Sequence, residues 1–137
     1  MVSLLIVTHY SLGDAYRAII SHFYGQDAAS RVRLVSSGQF DTKASLAMKI
    51  ERALLEIPDN QSVLILADVL GATPCNVLKE IRSNRKISML TGLNVPMLVK
   101  AFQDVDRIAD VRELAERVLL AARNGIMLFD LVKDHKC

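Results

Sequence analysis

His9 and Asp68 are the two residues whose types and settings point to chemistry. Each follows directly on an apolar run, Leu4-Leu5-Ile6-Val7-Thr8 before His9 and Val63-Leu64-Ile65-Leu66-Ala67 before Asp68. A neutral imidazole beside a carboxylate is a nucleophile with a fixed tautomer. The carboxylate accepts a hydrogen bond from one ring N–H and leaves the lone pair of the other nitrogen free to attack phosphorus. It then stabilises the cationic ring that results. The expectation is that His9 accepts a phosphoryl group and Asp68 orients it.

A tetrahedral anion also needs donors. The candidates are the amides around Leu70, Gly71 and Ala72, the helix entry Thr73-Pro74, and the turn from His9 to Gly13, which includes Ser11. The Thr73 hydroxyl serves equally as a cap or as a phosphate donor, and both readings stay open. No carboxylate cluster accompanies these residues, and the chemistry calls for no metal and no cofactor. Cys75, in the first turn of the helix after Pro74, has no partner base and is expected to pack.

The two apolar runs are short and β-branched, as strands buried on both faces of a parallel sheet are. Between and after them the period changes. A helix from Gly13 carries Ala15, Ile19, Ile20 and Phe23 inward and stops at Gly25. Val32 to Val35 is a second strand, and the alternating Arg31 and Arg33 mark it as near an edge. Asp41 is expected to cap a helix with the stripe Leu46, Ile50, Ala53, Leu54 and Ile57. Thr73-Pro74 opens a helix to about Arg82, and Ile87 to Leu90 is a fourth strand. Asn94 caps a helix from Met97 to Phe102, and Asp110 with Glu113 starts the last long one, which ends at Gly125. Ile126 to Val132 reads as a final strand of different character.

Four strand-then-helix units predict a three-layer α/β/α fold with a mainly parallel sheet. The commonest small winding, 2-1-3-4, has its switch point between the first and third strands. That topology brings the loops after Thr8 and after Ala67 together, and with them His9 and Asp68.

Composition narrows the partners. The chain of 137 residues has room for one domain, 1–137, and its 51% hydrophobic content suits buried strands or an obligate oligomer. Seventeen basic against 15 acidic residues leave +2, too balanced for the clustered footprint of nucleic acid or an anionic membrane. The opening apolar run lacks a basic flank and breaks at His9, which supports neither a signal peptide nor an anchor. Two cysteines without metal-ligand spacing suit a reducing cytosol. A receiver-type domain would need an acidic cluster where Thr8-His9-Tyr10-Ser11 stands, and 5% aromatics without tryptophan argue against a flavin sandwich.

Leu5-Ile6-Val7-Thr8-His9, Ala67-Asp68-Val69-Leu70-Gly71-Ala72-Thr73-Pro74-Cys75-Asn76 and Thr91-Gly92-Leu93-Asn94-Val95-Pro96-Met97-Leu98 together resemble the IIA component of the mannose family of the bacterial sugar phosphotransferase system. The resemblance implies a cytoplasmic homodimer that takes a phosphoryl group from the phosphocarrier HPr onto His9 and passes it to a IIB protein. It implies contact with the membrane only through transporter components. It also implies that the last strand, Ile126 to Val132, pairs with the sheet of the partner subunit. The chain departs from the family pattern at Tyr10, where a small residue is usual, and at Gly71-Ala72, where paired glycines are usual. No IIB domain is expected after Cys137. The phosphotransfer subunit of a dihydroxyacetone kinase and a regulatory phospho-switch share the chemistry at His9 and differ in the recipient.

Overall fold

The computed structural model describes residues 1–70 and 74–132. Strand β1 (Val2–His9) leads into helices α1 (Leu12–Tyr24) and α2 (Gln26–Ser30), then β2 (Arg33–Ser37), α3 (Lys43–Leu54) and β3 (Ser62–Ala67). Helix α4 (Pro74–Glu80), β4 (Ile87–Leu90), α5 (Val95–Asp104) and α6 (Val111–Asn124) follow. The four strands form one all-parallel sheet in the order β2-β1-β3-β4. Winding starts at β1, moves out to β2, then crosses back to β3 on the other side. The reversal therefore falls between β1 and β3, as the apolar runs lead one to expect.

Alternation along the strands sorts the core into two halves. Leu4 and Ile6 of β1 with Leu64 and Leu66 of β3 pack against Ile20, Met97, Leu98, Leu114 and Val118 from α1, α5 and α6. The intervening Leu5 and Val7, with Val63, Ile65 and Ala67, pack against Leu46, Ile50, Leu54 and Val77 from α3 and α4. Successive side chains of a strand point to opposite faces, so a strand covered by helices on both sides must be apolar at every position. This is why β1 and β3 read as unbroken hydrophobic runs. The outermost strand β2 keeps a wetter pattern, with Ser36 exposed and Arg33 half-buried.

The helix ends show the local chemistry. Thr42, not Asp41, caps α3: its hydroxyl accepts the Ser45 N–H while the Ser45 side chain accepts the Thr42 N–H. Asn94 caps α5 by accepting the Met97 N–H, with Pro96 in the first turn. Asp110 caps α6 through the Arg112 N–H, and Glu113 ion-pairs with Arg117 instead of completing a capping box. The Arg85 guanidinium donates to the carbonyls of Leu54, Ile57 and Pro58 and so satisfies acceptors at the end of α3.

Two apolar stretches differ from expectation. Phe23 is exposed, because α1 turns Gly13, Tyr16 and Ile20 toward the sheet. Residues 126–132 form no strand within the chain, and Ile126, Met127, Leu128, Phe129, Leu131 and Val132 all stand exposed. No helix among the described residues is long and apolar enough to cross a membrane.

Leu64 is fully buried at the centre of the sheet. Leu64→Ala is expected to lower unfolding free energy by about 3–5 kcal/mol, measured by urea denaturation at constant m-value. A loss below about 1 kcal/mol would contradict the core described above.

Candidate functional site

The β1–β3 ladder ends with Val7 opposite Ala67. One more main-chain bond follows, from the Asp68 N–H to the Val7 carbonyl at 3.2 Å. At the next step the acceptor is a side chain, and the His9 N–H donates to Asp68 Oδ2 at 2.9 Å. Nδ1 of the His9 ring lies 3.1 Å from both Oδ1 and Oδ2 of the same carboxylate. A carboxylate only accepts, so in the neutral ring Nδ1 carries the proton and Nε2 keeps its lone pair. The His9 side chain is 44% exposed and that of Asp68 is 15% exposed, so the ring is reachable and the carboxylate beside it is sheltered.

Three segments hold this pair. Behind His9, Tyr10 adopts φ +47°, a left-handed conformation that costs a non-glycine residue roughly 1–2 kcal/mol. The fold fixes that kink by two bonds, from the Tyr10 N–H to the Ser37 carbonyl at 3.0 Å and from Ser36 Oγ to the Tyr10 carbonyl at 2.7 Å. The turn sends the chain straight into α1, whose Gly13 approaches β1 so closely that a Cβ there would lie 3.0 Å from Thr8 Oγ1.

Beside His9, the loop after β2 is pinned by Asp41. Its carboxylate accepts the Gly38 N–H at 2.6 Å, Ser45 Oγ at 2.8 Å and Lys49 Nζ at 2.6 Å. The hydrogen bond from Gly38, with those from Lys49 and Ser45, holds the Asp41 carboxyl down at about 2, below the usual 3.8. A cavity of about 420 Å³ lies between this loop and the strand ends, lined by His9, Tyr10, Gly38, Thr42, Lys43 and Val77 among others. On the far side of Asp68, the Gly92 N–H donates to the Asp68 carbonyl at 2.8 Å and the Leu93 N–H to the Ala67 carbonyl at 2.9 Å.

Of the remaining residues singled out in the sequence, Ser11 is exposed at the N-cap of α1 and its hydroxyl makes no cap bond. Leu70 is half-buried, its side chain packed on the α3/α4 half of the core. Gly71, Ala72 and Thr73 lie outside the described residues. Cys75 is exposed with a free thiol, and not packed as the lack of a partner base suggested. Sequence reasoning passed over Tyr16 and the Asp41 loop. The Tyr16 hydroxyl donates to the Leu93 carbonyl at 3.0 Å. Burial, and secondarily the nearby Asp68 charge, push its phenol above the ordinary range.

Fold and side chains together define a wound α/β protein with a histidine–carboxylate pair at its switch point. The family model described as PTS system fructose IIA component (EIIA-man) matches residues 3–119, and the chain belongs to that family of phosphotransferase components in sugar uptake. The PTS system fructose-specific EIIA component of Bacillus subtilis (strain 168) is 26% identical over 110 residues, 80% of this chain and 74% of its own length. Among solved structures, the mannose/sorbose specific IIA subunit from Enterococcus faecalis superposes with TM-score 0.77 at 26% identity, covering 95% of this chain and 96% of its own. A phosphotransferase system component EIIA from Streptococcus agalactiae gives TM-score 0.76 at 25% identity, covering 93% and 96%.

The Asp41 carboxylate is more acidic folded than in an unfolded chain, so its stabilisation is present above pH 3.8 and is lost as pH falls toward about 2. Asp41→Ala is expected to cost roughly 1–3 kcal/mol at neutral pH. The gap to the parent protein in urea titrations should narrow as pH falls to about 2.5. A gap independent of pH would separate Asp41 from the loop's stability.

Proposed function

We propose that the chain is a single mannose-type IIA domain that carries phosphoryl groups on His9, receiving them from phosphorylated HPr and delivering them to a IIB protein. The observation that carries this reading is the His9–Asp68 pair, with Nδ1 3.1 Å from both carboxylate oxygens and Nε2 unbonded among the described residues at an exposed strand end. The Nε2 lone pair attacks phosphorus; an Nε2–P bond forms as the donor's N–P bond breaks, and that electron pair returns to the donor ring. The His9 ring becomes cationic without losing the Nδ1 proton, and the Asp68 carboxylate stabilises that charge. Onward transfer reverses these steps toward the IIB nucleophile. Ser11 and the amides of Leu70, Gly71 and Ala72, with Thr73 before α4, are the proposed donors to the phosphoryl oxygens.

The same reading includes a cytoplasmic homodimer. Six large apolar side chains exposed between Ile126 and Val132 are an aggregation hazard in a lone subunit, which supports their pairing as a strand on the sheet of a second copy. Sedimentation equilibrium should then return a dimer, and removal of 126–137 should return monomer. A monomeric full-length chain would remove the exchange from the proposal.

Incubation with phosphorylated HPr is expected to place acid-labile, base-stable phosphate on the protein and none on His9→Ala. Label retained by His9→Ala would end the assignment. Asp68→Asn offers the ring a donor in place of an acceptor and favours the wrong tautomer. It should slow transfer by about 10²-fold or more while leaving the unfolding transition near that of the parent. Unchanged kinetics would count against the pairing.

A further inference from the structure

Tyr16 stands about one turn into α1, which begins three residues after His9, and packs its half-buried ring against the core half built from α1, α5 and α6. Its hydroxyl donates to the Leu93 carbonyl at 3.0 Å, in the loop between β4 and α5. That loop is bound in turn to the end of β3, through Leu93 N–H to the Ala67 carbonyl at 2.9 Å and Gly92 N–H to the Asp68 carbonyl at 2.8 Å. Gly92 has φ +78°, a left-handed conformation that turns the chain between the two amides bound to β3, and no atom lies within 4 Å of where its Cβ would be. The glycine is there for the backbone conformation and not for space.

We infer that Tyr16 is a positioning residue for phosphoryl transfer, acting through the Gly92-Leu93 loop to hold Asp68 where it fixes the His9 tautomer. The chain of contacts is continuous: phenol to the Leu93 carbonyl, Leu93 and Gly92 amides to β3, Asp68 carboxylate to His9 Nδ1 and N–H. Asp68 follows the last residue of β3 and has no further strand to anchor it. Its main-chain carbonyl is held by Gly92 alone among the described main-chain bonds. Tyr16 thereby ties α1, which leaves the nucleophile, to the loop that holds the orienting acid. Burial raises the phenol above its ordinary range, so the hydroxyl is protonated and able to donate at neutral pH.

This inference rests on the reading of His9 as the phosphoryl acceptor, and the test separates the two. ¹⁵N NMR of the unphosphorylated protein reports the His9 tautomer without any transfer step. Single-turnover phosphorylation by phosphorylated HPr reports the rate. In Tyr16→Phe, which keeps the half-buried ring, the share of the Nδ1-protonated form should fall and the rate should drop about 3- to 10-fold, the scale of one hydrogen bond. Gly92→Ala, which strains the same loop, should shift both readouts the same way. The double variant should lose less than the product of the single losses. A Tyr16→Phe protein that keeps either the tautomer ratio or the rate of the parent overturns the inference, as does full multiplicativity with Gly92→Ala. Failure of the parent protein to take phosphate on His9 would instead sink the acceptor reading, and would overturn the role in transfer with it.

Discussion

The structure depends on a substitution of acceptors at the end of one ladder. Along β1 and β3 each step is closed by a main-chain carbonyl until Val7 and Ala67; at the next step the Asp68 carboxylate takes the His9 N–H. The acid is thereby built into the sheet before it touches the ring. An orienting carboxylate on a mobile side chain would have to be ordered at each turnover, at a cost of rotamer entropy that a tethered one has already met in folding. In the proposed transfer, the ring bond to Nδ1 then needs no rearrangement as the imidazole gains charge. That is electrostatic preorganisation carried by strand pairing.

The constraint explains why the winding matters. A sheet that reverses between β1 and β3 brings residues 9 and 68 level, and burial of the strands fixes the register. Those strands were legible because burial on two sides makes their central positions apolar, and the pair was legible because the winding follows from four strand-then-helix units. Helix faces were less so. In α1 the inward line runs Gly13, Tyr16, Ile20, and since glycine carries no hydrophobic signal the stripe read from the sequence settles on Phe23 instead. At α3 two capping residues stand in succession, and only geometry assigns the cap to Thr42 and frees Asp41 to pin the neighbouring loop. Tyr16 could not be found, because its partner lies 77 positions away with no local pattern to join them.

The apolar stretch at 126–132 has a different reason for resisting prediction. Its composition is that of a strand, yet a strand needs a neighbour, and within one chain the described residues supply none. Propensity describes a fit to a pleated surface, not an intrinsic shape, so the same residues remain irregular until an edge is offered.

Exposure and rigidity oppose each other at the rim of a sheet. A surface nucleophile is ordinarily mobile, and a fixed one ordinarily buried. Here the His9 ring is open to solvent, while Asp68 beside it is sheltered, Thr8 is buried against Gly13, and the Tyr10 backbone is held by β2. The left-handed Tyr10 is the joint between these layers. Its φ lets β1 stop at His9 and turn at once into α1, so the ring stands at the rim with its backbone still in the ladder. A glycine there would make the turn without strain but would also widen what the turn can do. A tyrosine tolerates it only because the Ser36 hydroxyl and the Ser37 carbonyl hold the peptide in place. The strain at residue 10 and the exposure at residue 9 are thus two sides of one arrangement, in which β2 keeps the rim of the sheet stiff enough for an uncovered histidine to hold one tautomer.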